Sequence, residues 1–313
     1  MVQSQSKIFK NRFNNNRAVW RILFYSIIVV FLFWLLGIIE KSFLAVQGEN
    51  YSDYAIIFAR FIKKVLRFLA VFLPGIALLK WFDRRPITLL GLGIYKGIVK
   101  EIARGMLMGF TVISLSVIIQ VVFGTASLSF QGLSIYLIVY VLSALVVLII
   151  SAAYEEALFR GYIFQALIEG TNIWVTLGIF SVIFGLAHLN NEGISVYDIV
   201  VAIFAAILLG TIYYRTRSLW MCIGAHFTWN WSIGPLFGIG IQDSEVLRHS
   251  LFIFTTNNNY LVNGKSVIND ILISVLVLIL SVYLWKAKWL KPNEFNRKLW
   301  LNYLVKKGEG SRG

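Results

Sequence analysis

Two adjacent carboxylates, Glu155 and Glu156, and a guanidinium, Arg160, interrupt the apolar run LVVLIISAAYEEALFRGYIFQAL at Leu145 to Leu167. A charged side chain at the centre of a membrane-crossing helix costs about 2.5–3.5 kcal/mol, so three ionisable groups within six residues need a use. On a helix Glu156 and Arg160 stand four apart, share a face and can pair. Glu155 points about 100° away and has no such partner nearby in sequence, which leaves it free for chemistry. The plain alternative is a pair of interfacial charges that do no more than end a helix. The histidines argue against it. Of the three in the chain, two lie in apolar segments: FGLAH ends at His188, and HFTWN runs from His226 to Asn230. One histidine on an apolar helix is usually a packed core residue. Two of them, with a free glutamate, ask for a joint explanation.

The chemistry open to such a set is hydrolysis. A carboxylate partly withdrawn from water binds protons more tightly and serves better as a general base. With an imidazole opposite, it can hold and deprotonate a water molecule. A second imidazole and an asparagine amide are donors suited to an oxyanion developing on a carbonyl. Together these groups fit cleavage of an amide bond. The same residues allow a metal reading, because Glu155, His188 and His226 would make a catalytic zinc set with one open position. The local HExxH spacing that points strongly to zinc is absent, and Asn230 is a poor third ligand, so the balance tilts to a metal-free site.

Helical depth brings these residues together. GTN at Gly170 to Asn172 reads as a tight helical hairpin. Glu155 lies sixteen residues before Thr171 and His188 seventeen after it, so both sit about 25 Å from the turn at 1.5 Å per residue. A second hairpin turns at RTRS, Arg215 to Ser218. His226 and Asn230 lie about 14 and 20 Å back from that turn on one face, which leaves His226 about two turns short of Glu155. The expectation is one buried polar cavity among antiparallel helices.

Eight apolar spans supply those helices: about Trp20 to Ile39, Ile62 to Phe82 with Pro74 inside, Gly105 to Phe123, and Leu133 through the charged motif to Glu169. The others run from about Ile173 to His188, Val196 to Tyr214, Leu219 to Ile241 and Ile271 to Trp285. Arg84 to Arg104 mixes charge with Leu, Ile and Val and predicts an interfacial helix. Gly93 and Gly97 have a spacing that permits helix association. GTASLSFQG reads as an uncharged loop, the segment from Gln242 to Asp270 as a polar connection, and the tail ending KKGEGSRG as disordered.

Composition agrees with a membrane protein. Of 313 residues 58% are hydrophobic and only 14% charged, with a mean hydropathy of +0.75. The net charge of +14 reads as juxtamembrane Lys and Arg rather than a nucleic-acid surface, because the basic residues gather at the ends of apolar runs. The lone cysteine, Cys222, excludes an internal disulfide and fits a small packing residue. The first span is too long for a signal peptide and is read as retained. Lys7, Lys10, Arg12, Arg17 and Arg21 put the N-terminus in the cytoplasm, with Arg84, Arg85, Arg215, Arg217, Lys286, Lys288 and Lys291 on the same side. Lys63, Lys64 and Arg67 break the pattern.

The motifs EEALFRG, FGLAH and HFTWN resemble, in order, the EExxxR, FxxxH and HxxxN patterns of the CPBP family. Those intramembrane proteases include type II CAAX prenyl endopeptidases and bacterial homologues linked to bacteriocin processing or self-immunity. The resemblance spans about Leu133 to Gly240 and extends to LLGTIYYRTRSLWMCIGAH. It implies an all-α polytopic membrane protein of about eight helices, divided as 1–132 (membrane helices and an interfacial segment), 133–241 (catalytic core) and 242–313 (polar loop, last span and basic cytoplasmic tail). It implies that Glu155 activates the water, Glu156 and Arg160 brace the site, and His188 positions the water. His226 and Asn230 would stabilise the tetrahedral intermediate, and Phe184 would line the cavity. The implied substrate is a membrane-associated peptide or protein, prenylated or of leader type. Membrane lipid is the surrounding partner, nucleic acid is not one, and a bacterial cell membrane is the setting. Zn2+ is the one cofactor the family brings into question. Competing readings are a non-catalytic immunity or scaffold protein of the same fold, and a proton-coupled transporter, against which the absence of inverted repeats counts.

Overall fold

The computed structural model describes residues 18–45, 53–189, 194–239, 249–257, 261–262 and 265–300. The tail expected to be disordered lies outside them. Helix α1 covers Ala18–Ala45 and α2 Asp53–Ala77, the latter continuing past Pro74 into a π-turn at Leu78–Phe82. Helix α3 is Ile98–Val122. Helix α4, Ile135–Glu156, runs through a π-turn at Ala157–Gly161 into α5, Tyr162–Gly170. Then come α6 (Ile173–Leu186), α7 (Val196–Thr216), α8 (Leu219–Trp231, extended by a π-turn at Ser232–Leu236), α9 (Val267–Lys286) and the short α10 (Glu294–Trp300). All eight expected apolar segments are helical. Among the described residues six helical stretches are long and apolar enough to cross a membrane, and α6 and α8 are the shorter two. The chain is an all-α polytopic membrane protein. Large apolar side chains such as Val30, Phe31, Trp34, Ile118 and Ile279 stand on its outer face, as a lipid-facing surface requires.

Polar caps set where the helices begin. Asn172 Oδ1 accepts from the amides of Trp174 and Val175, at 2.9 and 3.0 Å, and opens α6 directly after α5. Ser195 and Asp198 form a reciprocal capping box at the start of α7. At the other end of α7, Arg217 takes a left-handed conformation (φ 57°) and Ser218 caps α8. Both expected hairpins are therefore present.

Helix α8 is the centre of the bundle. Its residues from Leu219 to Thr228 are buried apart from half-buried Trp220, which is how a short helix apolar on every side can exist without spanning. Helix α3 packs on it along small residues. A Cβ at Gly105 would fall on the Met221 carbonyl oxygen, and one at Gly109 on that of Ala225; Gly224 meets the Ile102 carbonyl from the other side. Such close backbone approach is the usual device for joining helices in lipid. Cys222 is buried in this core as expected, near the Leu209 carbonyl.

Two segments differ from the sequence-based expectation. Residues 84–97 are not an interfacial helix. A 3-10 turn at Ile87–Leu90 follows Pro86, and Gly91 and Gly97 have φ of +88° and +113°, which side chains disfavour. Gly93 and Gly97 thus lie in a loop and cannot join helices. The loop instead plugs the α7–α8 turn. Leu219 donates to the Gly91 carbonyl at 2.9 Å, the Trp220 indole to that of Gly93 at 3.0 Å, and Tyr95 Oη lies 2.8 Å from Ser218 Oγ. Burial pushes the Tyr95 hydroxyl up, and the neighbouring Glu101 carboxylate adds to the shift, so Tyr95 remains a donor to Glu101. The second difference is a β-ribbon. GTASLSFQG holds strand β1, Ala126–Phe130, paired antiparallel with β2, Phe252–Thr256, from Ala126 opposite Thr256 to Phe130 opposite Phe252. A second, two-residue pairing joins Leu261–Val262 to Lys265–Ser266.

Candidate active site

At the end of α4 the π-turn follows the two glutamates. Wider turns of this kind recur at functional positions because they re-aim the side chains on either side. Glu156 is fully buried and Arg160, four residues on, is 1% exposed. Their side chains pair at 3.0 Å, and Arg160 also donates to the Ala206 carbonyl on α7 at 3.2 Å. The Phe184 ring of α6 lies over the guanidinium, 4.8 Å from it. The same oxygen of Glu156 that takes Arg160 lies 2.8 Å from His226 Nδ1 on α8. A carboxylate can only accept, so His226 carries its proton on Nδ1 and turns Nε2 the other way.

That direction leads to Glu155. Its Oε2 is 3.5 Å from His226 Nε2, and its side chain keeps 20% exposure while Glu156 has none. His226 is held between the two glutamates, one sealed and one open. The expected two-turn gap between Glu155 and His226 is therefore wrong. The turn that starts α8 lies deeper in the bundle than the distance along α7 implies, because the loop 91–97 sits beneath it.

His188 follows the end of α6 and joins the group through Phe184. Its Nδ1 donates to the Phe184 carbonyl at 2.8 Å, which leaves Nε2 as the acceptor of a neutral ring. Its ring lies 4.9 Å from that of Phe184, whose other side is 6.0 Å from His226. Among the described residues His188 makes no hydrogen bond or ion pair with Glu155. Asn230, one turn beyond His226 on α8, is half-buried and has no hydrogen bond to a described residue, so its amide is available to a ligand.

Comparison with known proteins bears on this cluster. Residues 136–232 match the family described as type II CAAX prenyl endopeptidase Rce1-like. The match covers about a third of the chain. A Bacillus subtilis (strain 168) protein described as "Putative membrane peptidase YdiL" is 37% identical over 82 residues, which are 26% of this chain and 32% of that protein. The alignment thus spans about a third of the relative's length. Every residue of the site, from Glu155 to Asn230, falls inside the Rce1-like segment, and the family resemblance carried by the three motifs holds there.

Four neighbours of the site were not assigned to it by sequence reasoning. Ser151, one turn before Glu155, donates to its Oε1 at 3.3 Å; the four-residue spacing was there to be seen. Tyr154 and Lys64 form the second pair, with the Lys64 ammonium 5.6 Å from the Tyr154 ring centre. Phe159 meets Phe184 edge-on at 4.9 Å. As for zinc, no three His, Cys, Asp or Glu side chains among the described residues converge as a ligand set. Glu155, His188 and His226 do not fit one ion in this arrangement, and no step below passes through a metal.

Proposed function

We propose that the chain is an intramembrane endopeptidase in which Glu155 activates a water molecule for attack on a peptide bond. The observation that carries this reading is the His226 ring held by Glu156 at one nitrogen and facing Glu155 with the other. Water in contact with Glu155 Oε2 loses a proton to it as the oxygen attacks the carbonyl carbon. Negative charge moves to the carbonyl oxygen, where the Asn230 amide supplies a donor and His226 adds a second from Nε2 when that nitrogen also carries a proton. Collapse breaks the C–N bond, and Glu155 returns the proton to the leaving amine. His188, with Nδ1 committed to a backbone carbonyl, offers Nε2 to orient the water. Arg160 and Phe184 keep Glu156, and through it His226, in place.

The substrate class we infer is a membrane-associated peptide, prenylated or of leader type, reaching the site from the lipid. The prenyl part of this reading rests on the family description and on no residue singled out here. We assign the protein to a bacterial cell membrane with its N-terminus in the cytoplasm, on the distribution of Lys and Arg and the Bacillus relative.

The test uses purified wild-type chain and Glu155→Gln against a panel of membrane-anchored peptides, with products read by mass spectrometry. The expected result is a discrete cleavage product from the wild type and at least ~100-fold less from the variant. Identical product patterns from both, or none from either alongside an unchanged cellular phenotype, would hand the protein to the scaffold or carrier readings.

A further inference from the structure

In the middle of α2, three cations lie within five residues: Lys63, Lys64 and Arg67. They break the orientation pattern of the sequence, and the structure gives two of them a partner. Glu40 on α1 takes Lys63 Nζ at 2.8 Å and Arg67 at 3.6 Å. Lys64 forms no ion pair among the described residues. Its ammonium lies over the Tyr154 ring, and Tyr154 immediately precedes Glu155 on α4. From there it feels the Glu155 carboxylate electrostatically without closing on it.

A cation within a membrane span is costly, and an anion normally answers it. Lys63 and Arg67 already consume Glu40. Glu155, partly open, is kept short of Lys64 by the ring between their backbones, and a base locked in an ion pair could not do the work assigned to it. No other carboxylate among the described residues pairs with Lys64, which leaves its ammonium open to an anion of the substrate. The group that reaches this position in every turnover is the peptide, whose scissile bond lies at Glu155 and whose backbone continues past Tyr154.

We propose that Lys64 is a specificity-determining residue that binds a carboxylate of the substrate peptide, either its C-terminus or an acidic side chain close to the cleaved bond. The inference rests on the peptidase reading above and deepens it. The ammonium donates to the carboxylate, the Tyr154 face steadies it from below, and the bound charge sets how far the chain advances across the site. The Lys63–Glu40–Arg67 group flanks this contact and, with two cations on one carboxylate, adds a net positive charge beside it.

The experiment takes one cleaved peptide in three forms: free C-terminal acid, C-terminal amide, and amide with glutamate as last residue. Wild type, Lys64→Gln and Lys64→Arg are compared in neutral detergent free of anionic lipid. The wild type should favour the acid over the amide by at least about tenfold in kcat/KM, mostly through KM. In Lys64→Gln that ratio should fall to near one, and Lys64→Arg should restore most of it. If the glutamate-bearing amide matches the acid, the site reads any nearby carboxylate; if it matches the plain amide, the site reads the terminus. A wild-type ratio of one, or an unchanged ratio in Lys64→Gln, overturns the proposal. Kd values for the same peptides on Glu155→Gln, with and without Lys64→Gln, give the ratio independently of turnover. Absence of all cleavage would therefore sink the peptidase reading while the Kd ratio still decides the role of Lys64.

Discussion

Glu156 and Glu155 are neighbours in sequence with opposite fates, and substitutions should separate them. Glu156 Oε1 serves both Arg160 and His226 in a fully buried setting. Glu156→Ala strands a buried guanidinium, which costs about 3–5 kcal/mol, and also releases His226. Thermal unfolding in detergent should fall steeply together with activity. The double change Glu156→Leu with Arg160→Met should recover much of the stability, because an apolar pair avoids desolvating the charges, and none of the activity. Recovery of both would mean that Glu156 has no part in holding His226. At this scale the sequence was readable where partners share a helix, as with Glu156 and Arg160. It was not readable for Glu155 and His226, whose meeting depends on how deep the α7–α8 turn sits.

That depth belongs to the elements. Helix α8 is held at its level by the loop 91–97 beneath it and by the glycine face of α3 beside it. Gly109→Leu must push α3 away from the Ala225 carbonyl, next to His226, and should cost about 1–3 kcal/mol or more in thermal stability with a loss of activity. Gly178→Ala on α6, where a Cβ meets open space, should leave stability within a few tenths of a kcal/mol or raise it. Equal melting temperatures for the two variants would contradict the packing described. Helices were legible because long apolar runs and Asn or Ser caps carry strong signals. The loop was misread because Lys96, Lys100 and Arg104 among apolar residues imitate an amphipathic helix, although Pro86 and three glycines forbid one. Ribbon β1–β2 was missed because ASLSF alternates for only five residues, too short a run to outweigh its surroundings.

On the scale of the whole molecule, the first helix is tied to the catalytic bundle by charge. Arg21 entered the sequence reading as one of several basic residues marking orientation, yet it is 1% exposed and bonded to Asp83 at 3.0 Å and Glu169 at 2.7 Å. Arg85 holds Glu169 from the other side at 2.7 Å, and the Tyr162 hydroxyl donates to Asp83 at 2.9 Å. Arg21→Ala should cost about 3–5 kcal/mol, seen as a lower melting temperature in detergent. A melting temperature like that of the wild type would show that α1 is held by packing alone. The central claim is that Glu155 itself, opposite His226, activates the attacking water. The most direct measurement is the cleavage rate of wild type and Glu155→Gln after exhaustive chelation, with metal content determined in parallel. The account predicts that metal-free wild type keeps its rate while Glu155→Gln loses at least ~100-fold with an unchanged melting temperature. A wild type silenced by chelation and revived by zinc, or a Glu155→Gln that cleaves normally, would contradict it.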